Sequence, residues 1–203
     1  AALQDRLFKN DAFGEMRDVT LEVGLQTQAW DRIDDLNAGR AHTTAWSAGA
    51  CDLNGDGTPD LIAGSYGRAP NHMWIGERTP EGVVSYLNHS VDSGYAYDDN
   101  LTWQEDQFAR CYCQQNPMAE GCADAPSPQL QCGQNRWDHQ TGRQPFRLGG
   151  NSGATVCDDL DGDGDLDLFT TEIHHWWGGQ GSDSSEVLLN DGAALPTFIR
   201  PGR

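Results

Sequence analysis

The chain has 203 residues, enough for one domain that buries roughly 70% of the surface its unfolded form would expose, and nothing in that size demands two. Its 31 Asp and Glu against 13 Lys and Arg give a formal charge of −18, which repels phosphate backbones and anionic bilayers and excludes nucleic acid as a partner. No stretch approaches the roughly 20 apolar residues of a membrane span.

The sequence opens on Ala1-Ala2-Leu3 without an initiating Met, as expected of a chain that has lost a signal peptide or has been trimmed. Phe13 to Leu25 reads as a lone strand entering the first of two repeated units. In that unit an inner strand through Thr44 and Ala48-Gly-Ala-Cys51 runs into the loop Asp52-Leu-Asn-Gly-Asp-Gly-Thr-Pro-Asp60, and the apolar run Leu61-Ile-Ala63 leaves it. His72-Met-Trp-Ile-Gly76 and Val83-Val-Ser-Tyr-Leu87 complete four short strands.

Residues 98–147 break the pattern with a Gln-, Pro- and Cys-rich segment of weak periodicity, to which no regular structure is assigned. Four of the six cysteines lie there, and paired C-x2-C zinc knuckles are absent, so the segment reads as a disulfide-stapled insertion. Cys111 and Cys113 are too close to bond each other without strain, so each should reach Cys122 or Cys132.

The second unit repeats the first: Thr155-Val-Cys157-Asp158 leads into Asp159-Leu-Asp-Gly-Asp-Gly-Asp-Leu-Asp167, then Leu168-Phe-Thr170, Glu186-Val-Leu-Leu-Asn190 and Thr197-Phe-Ile199. Ser152 resembles a hydrolase nucleophile in its Gly150-Asn-Ser-Gly153 setting. Ala154 stands where the elbow needs a second glycine, however, and the repeat makes this an inner strand. Cys51 and Cys157 stand one and two residues before the first loop residues. Neighbouring inner strands bring such positions together, while the one-residue offset turns their side chains to different faces, so this pairing is left open. The second unit is longer by a loop carrying His174, His175, Trp176 and Trp177, which offers a second metal or sugar-stacking site. Adjacent residues on an extended chain point to opposite sides, which favours simple aromatic packing over a shared metal. Trp30, Trp46, Trp74, Trp103 and Trp137 read as core or insertion packing.

Each acidic loop alternates oxygen-bearing side chains so that a chain can wrap a hard cation. Ca²⁺ takes six to eight oxygens, and the glycine at the sixth position permits the turn. The ligand set is Asp52, Asn54, Asp56 and Asp60 with the Thr58 carbonyl, and Asp159, Asp161, Asp163 and Asp167 with the Asp165 carbonyl, giving two calcium sites. An EF-hand would need Glu at the twelfth position, where Ala63 and Thr170 stand. An acidic turn that binds nothing would hold four carboxylates in mutual repulsion at a few ångströms.

Strand, D-x-[DN]-x-D-G-x-x-D loop, apolar strand resembles the FG-GAP/VCBS repeat of integrin α-chain propellers and of many bacterial secreted proteins. The Phe13 to Leu25 phrase resembles the cartilage-acidic-protein branch. The signature triplet Gly-Ala-Pro is Gly64-Ser65-Tyr66 in the first unit. The resemblance implies an all-β fold of β-propeller blades, each of four antiparallel strands, forming only part of a propeller because rings have four to eight blades. On that reading 1–25 is the outer strand of a preceding blade, 26–97 the first blade, 98–147 the insertion, and 148–203 the second blade with the start of a further strand. It implies a calcium-binding module that is secreted, periplasmic or on the cell surface. Such a module recognises a protein or glycan or builds a surface assembly, and is completed by a further propeller segment or other subunits. The alternative is a lectin or a polysaccharide-lyase-like carbohydrate-active enzyme on the same scaffold, but the sequence shows no convincing cluster of Lys, Tyr, His and Arg on one face.

Overall fold

The computed structural model describes residues 4–10, 12–97, 102–133, 136–144, 147, 151–174 and 184–201. Near the N-terminus β1 (Phe8–Asn10) and β2 (Met16–Asp18) pair as an antiparallel ribbon, followed by the short helix α1 (Ile33–Asn37). Two antiparallel meanders of four strands carry the rest. The first is β3 (Thr44–Cys51), β4 (Asp60–Tyr66), β5 (His72–Arg78) and β6 (Val84–Asn88). The second is β7 (Ser152–Asp158), β8 (Asp167–Glu172), β9 (Glu186–Asn190) and β10 (Phe198–Ile199). These are the two sets of four strands that the repeat predicts, and each inner strand carries a register shift, in β3 between Ala45 and Ser47 and in β7 between Ser152 and Thr155. The sheets among the described residues do not close a ring.

Strands β3 and β4 pack against the inner strand β7, and one core lies between the sheets: Ile62, Met73 and Ile75 from the first, Leu168, Leu188 and Phe198 from the second, with Leu53 and Tyr95 fully buried among them. The opposite face of the first sheet, Ala63 and Trp74, is covered by Leu7, Val23 and Leu25. The segment 13–25 therefore differs from a lone strand, because β2 pairs with β1 and the residues after it turn to cap the sheet through Val23 N–H to Val19 O and Leu25 N–H to Thr20 O.

Cys51 and Cys157 are bonded to each other, their Cα atoms 6.5 Å apart. Register explains why the offset does not separate them. Cys51 is opposite Asp60 and Cys157 opposite Leu168, so the two occupy different faces of the repeat. Stacked repeats touch by different faces, and the one-residue offset is what aims both side chains into the shared core.

The insertion is more regular than its composition suggests, because it holds the helix α2 (Gln107–Gln115). Asp106 caps it by accepting from the N–H groups of Phe108 and Ala109, and the bonds Cys111–Cys132 and Cys113–Cys122 tie it to the following coil. A cap and two cross-links hold a helix that periodicity alone does not announce. Trp103 and Trp137 stack at 5.7 Å and Trp74 is buried, as core or insertion packing requires, whereas Trp30 and Trp46 are exposed, Trp46 lying 4.8 Å from the Tyr66 ring. They sit on loop and edge-strand positions that no described element covers.

His72, the first residue of β5, is fully buried beside Trp74, and neither ring nitrogen has a hydrogen-bond partner among the described residues. Burial lowers its pKa from 6.5 to about 4. The unfolded chain therefore binds the proton more readily, so stability present above pH 6.5 is lost as pH falls towards 4. Between pH 7 and pH 5 this histidine is expected to cost the fold about 2 kcal/mol. His72→Leu should flatten that part of the pH dependence in urea melts run with excess calcium. An unchanged slope in the variant would assign the acid sensitivity to other groups.

Candidate metal centres

Both acidic loops are the turns joining an inner strand to the second strand of its sheet, β3 to β4 and β7 to β8. Their glycines set the path. Gly57 (φ 82°) and Gly164 (φ 100°) hold left-handed conformations that side-chain-bearing residues rarely adopt, although a Cβ at either would meet nothing within 4 Å, so the requirement is conformational. The first carboxylate organises each turn. Asp52 accepts from Asp56 N–H (3.0 Å) and Gly57 N–H (2.9 Å), and Asp159 accepts from Gly162 N–H (2.8 Å) and Gly164 N–H (3.2 Å). Asp56 and Asp163 accept from the N–H two residues on, Thr58 and Asp165, in equivalent bonds. Asn54 and Asp161 likewise accept from Asp56 and Asp163.

The last residue of each loop fastens it to the sheet. Asp60 is fully buried and accepts from Leu53 N–H and, across the sheet, from Gly76 N–H, both at 2.7 Å. Asp167, equally buried, accepts from Leu160 N–H and Asn190 N–H, both at 2.9 Å. Gly76 has to be small, since a Cβ there would come within 2.5 Å of the Pro59 carbonyl. Burial, then the nearby Asp56 and Asp52 charges, raise the Asp60 carboxyl above its ordinary range against the pull of its two N–H donors. Asp161 is raised by desolvation and then by its neighbours Asp163, Asp167 and Asp159. In the second loop Asp159, Asp161 and Asp167 each offer an oxygen, all within 4.8 Å of one another. A carboxylate group so gathered, part exposed and part buried, fits a hard cation with oxygen preference. Thr58 and Asp165 lie at matching places between the fifth and ninth loop positions.

Sequence reasoning missed a third component. The turn between β9 and β10 sits between the two loops. Asn190 Nδ2 donates to Leu53 O (2.8 Å) in the first and to Leu166 O (2.9 Å) in the second, Asn54 Nδ2 donates to Ala194 O (3.2 Å), and the Asp165 carboxylate lies against Gly192. The signal was the Asn190-Asp-Gly192 turn, whose place beside both loops shows only once the sheets are stacked. If both loops hold a cation, Asn190→Ala is expected to lower affinity at the two together, and a calorimetric calcium titration in which only one step weakens would contradict that coupling.

The remaining candidates fare differently. Ser152 is buried on β7 and donates to Glu172 Oε1 at 2.8 Å, with no histidine in that contact. His174 is exposed, and His175, Trp176 and Trp177 lie outside the described residues. No helix among the described residues is long and apolar enough to cross a membrane, and the chain holds three disulfides. Residues 44–87, from the start of β3 into β6, match the family model described as FG-GAP repeat. A search of curated proteins gave no match.

Proposed function

With residues 44–87 an FG-GAP repeat, we propose that this chain is a calcium-stabilised, extracytoplasmic propeller module that serves recognition or surface assembly. The observation that carries the reading is the gathered triad Asp159, Asp161 and Asp167, matched in sequence and hydrogen bonding by the loop from Asp52 to Asp60. An ion there would be held by Asp159, Asp161, Asp163 and Asp167 in the second loop and by Asp52, Asn54, Asp56 and Asp60 in the first. It would cancel carboxylate repulsion at the turn that carries each inner strand into the next. Three disulfides support an oxidising compartment.

Calorimetric titration of the chelator-treated protein tests it. Two calcium equivalents should bind, with a rise in melting temperature that magnesium does not reproduce; no calcium-dependent shift would sink the proposal. The second loop has four carboxylate ligands against three and an amide, so Asp163→Ala is expected to weaken binding more than Asp56→Ala. Equal or inverted losses would mean that the stiffness Pro59 gives the first loop, rather than charge, sets affinity.

Partner surfaces support the assembly half of the reading. The second sheet's outer face exposes Val156, Phe169 and Ile199, and Phe169 and Val187 occupy the register of Ile62 and Met73, which the second sheet buries in the first unit. A further sheet of the same kind suits that face. The isolated chain is therefore expected to self-associate, and Phe169→Ser with Ile199→Ser should shift it towards monomer in sedimentation equilibrium. A wild-type monomer at all concentrations would count against it.

A further inference from the structure

The two acidic loops leave unexplained a cationic pocket at the other end of the sheets, where the insertion meets the β4–β5 turn. In a chain of charge −18 with only 13 Lys and Arg, three arginines, Arg68, Arg136 and Arg147, line one cavity of about 260 Å³ together with Phe108 and Trp137. Two carboxylates share it, Asp106 and Asp138. Counted as charges the lining is net +1.

The turn that presents Arg68 is held with care. Arg68 has φ 58°, and among the described residues it is the one non-glycine residue in the left-handed region. Such backbone persists only where its surroundings over-determine it, and it concentrates at functional sites. What over-determines it is Asn151, whose Oδ1 accepts from both Gly67 N–H (2.8 Å) and Arg68 N–H (3.1 Å). The Gly67 carbonyl on the same turn accepts from Arg147 Nη1 at 3.4 Å. The Arg68 guanidinium then donates through Nη1 to Asp106 Oδ2 at 2.9 Å. That carboxylate is already committed, since its other oxygen caps α2 and its side chain is 2% exposed. The Arg68 side chain is 15% exposed, and no second acceptor among the described residues takes its remaining N–H groups. Arg136 lies over the Phe108 ring at 5.9 Å and makes no hydrogen bond there. Asp138 is likewise occupied, accepting from the N–H groups of Gln140 and Thr141. The like charges of Arg68 and Arg147 oppose each other, which adds to burial in lowering the Arg147 pKa.

We propose that this pocket binds a small monocarboxylate, such as the carboxyl group of a sugar acid, between the guanidinium groups of Arg68, Arg136 and Arg147. Guanidinium forks match the planar, two-oxygen shape of a carboxylate. One negative charge balances the lining, whereas a sulfate dianion overcompensates it. The volume lies below the usual range for drug-sized ligands, so a single ring or a terminal group fits and a long polymer does not. The site gathers three of the chain's 13 Lys and Arg and would steer an anion past a repelling surface. The inference goes beyond the calcium reading and does not depend on it.

The test is an NMR titration of the full chain, in fixed excess calcium, with sodium glucuronate, sodium acetate, glucose and sodium sulfate, following the Gly67 and Arg68 amides. Glucuronate is expected to shift them saturably and acetate to do so more weakly. Glucose should leave them unmoved, and sulfate should bind at least about tenfold less tightly than glucuronate. Arg136→Gln should weaken glucuronate about tenfold or more while the melting temperature and calcium titration stay unchanged, because Arg136 is exposed and supports no buried partner among the described residues. Arg147→Gln is the second variant. Arg68→Gln is avoided, since it strands the buried Asp106 charge and can unfold the region. No saturable glucuronate shift, equal binding of glucose or sulfate, or unchanged affinity in both variants would overturn the proposal.

Discussion

Asp60→Ala is expected to destabilise the fold by about 3–5 kcal/mol, and Asp167→Ala by a similar amount, the largest losses of any loop positions. Each carboxylate is fully buried and satisfies two backbone N–H groups, one inside the loop and one on the third strand, Gly76 for Asp60 and Asn190 for Asp167. Alanine would leave both donors buried without acceptors at roughly 1–3 kcal/mol apiece and, on the calcium reading proposed above, would remove a ligand as well. Urea melts separate the two parts. The loss measured in chelator reports the stranded N–H groups, and the further loss in calcium reports the missing ligand. Asp60 also gives the calcium-free protein an unusual pH response. Its folded carboxyl is raised above the ordinary 3.8, chiefly by burial, so the folded chain holds the proton more firmly than the unfolded one. Stability in chelator should therefore decline as pH rises through the window just above 3.8, and calcium should reverse the decline by favouring the carboxylate. Equal melts for wild type and Asp60→Ala in both conditions would show that the loop is not tied to the sheet in the way its hydrogen bonds indicate.

The loops and strands were legible because their signals are local. An oxygen at every second position, glycines where the backbone turns left-handed, and apolar runs on either side all lie within a few residues of one another, and the repeat states them twice. What stayed hidden depends on how distant faces meet. Face alternation within a single unit leaves the Cys51–Cys157 bond open, because the geometry that decides it is one sheet stacked on the next. Asn190 looked like a strand end, and its side chain spans two loops only because the β9–β10 turn returns between them. The helix α2 buries Ala109, Cys111 and Cys113, but a run of nine residues is too short to announce a helix by periodicity, and the Asp106 cap and two disulfides that hold it show only in the fold. The arginines of the pocket are dispersed at 68, 136 and 147, and no spacing rule connects residues that only a folded insertion brings together.

Removing the Cys51–Cys157 cross-link is expected to cost more than removing either disulfide of the insertion. The cysteines are separated by 106 residues in sequence, against 21 for Cys111–Cys132 and 9 for Cys113–Cys122. Closing the longer loop takes more entropy from the unfolded chain: about 5 kcal/mol at 25 °C for the first, against about 3 and about 2.5 for the others, in the chain-entropy account. A domain's whole stability is roughly 5–15 kcal/mol, so the Cys51→Ala, Cys157→Ala double variant should be marginal at 37 °C. Alanine is the appropriate replacement because both sulfurs pack against the core between the sheets, where a serine hydroxyl would need a partner. The position of the bond adds a second effect. Cys51 immediately precedes Asp52, and Cys157 stands two residues before Asp159, so the cross-link fixes the spacing of the strands from which both acidic loops spring. On the calcium reading proposed above, its loss should lower calcium affinity at both loops, whereas loss of an insertion disulfide should leave calcium binding unchanged and loosen only the coil after α2. Denaturant unfolding of the three double variants, paired with calcium titrations, reads both effects. If the Cys113→Ala, Cys122→Ala variant proved the least stable, the sheets would not be the cooperative unit, and the insertion rather than the stacked repeats would be holding the chain together.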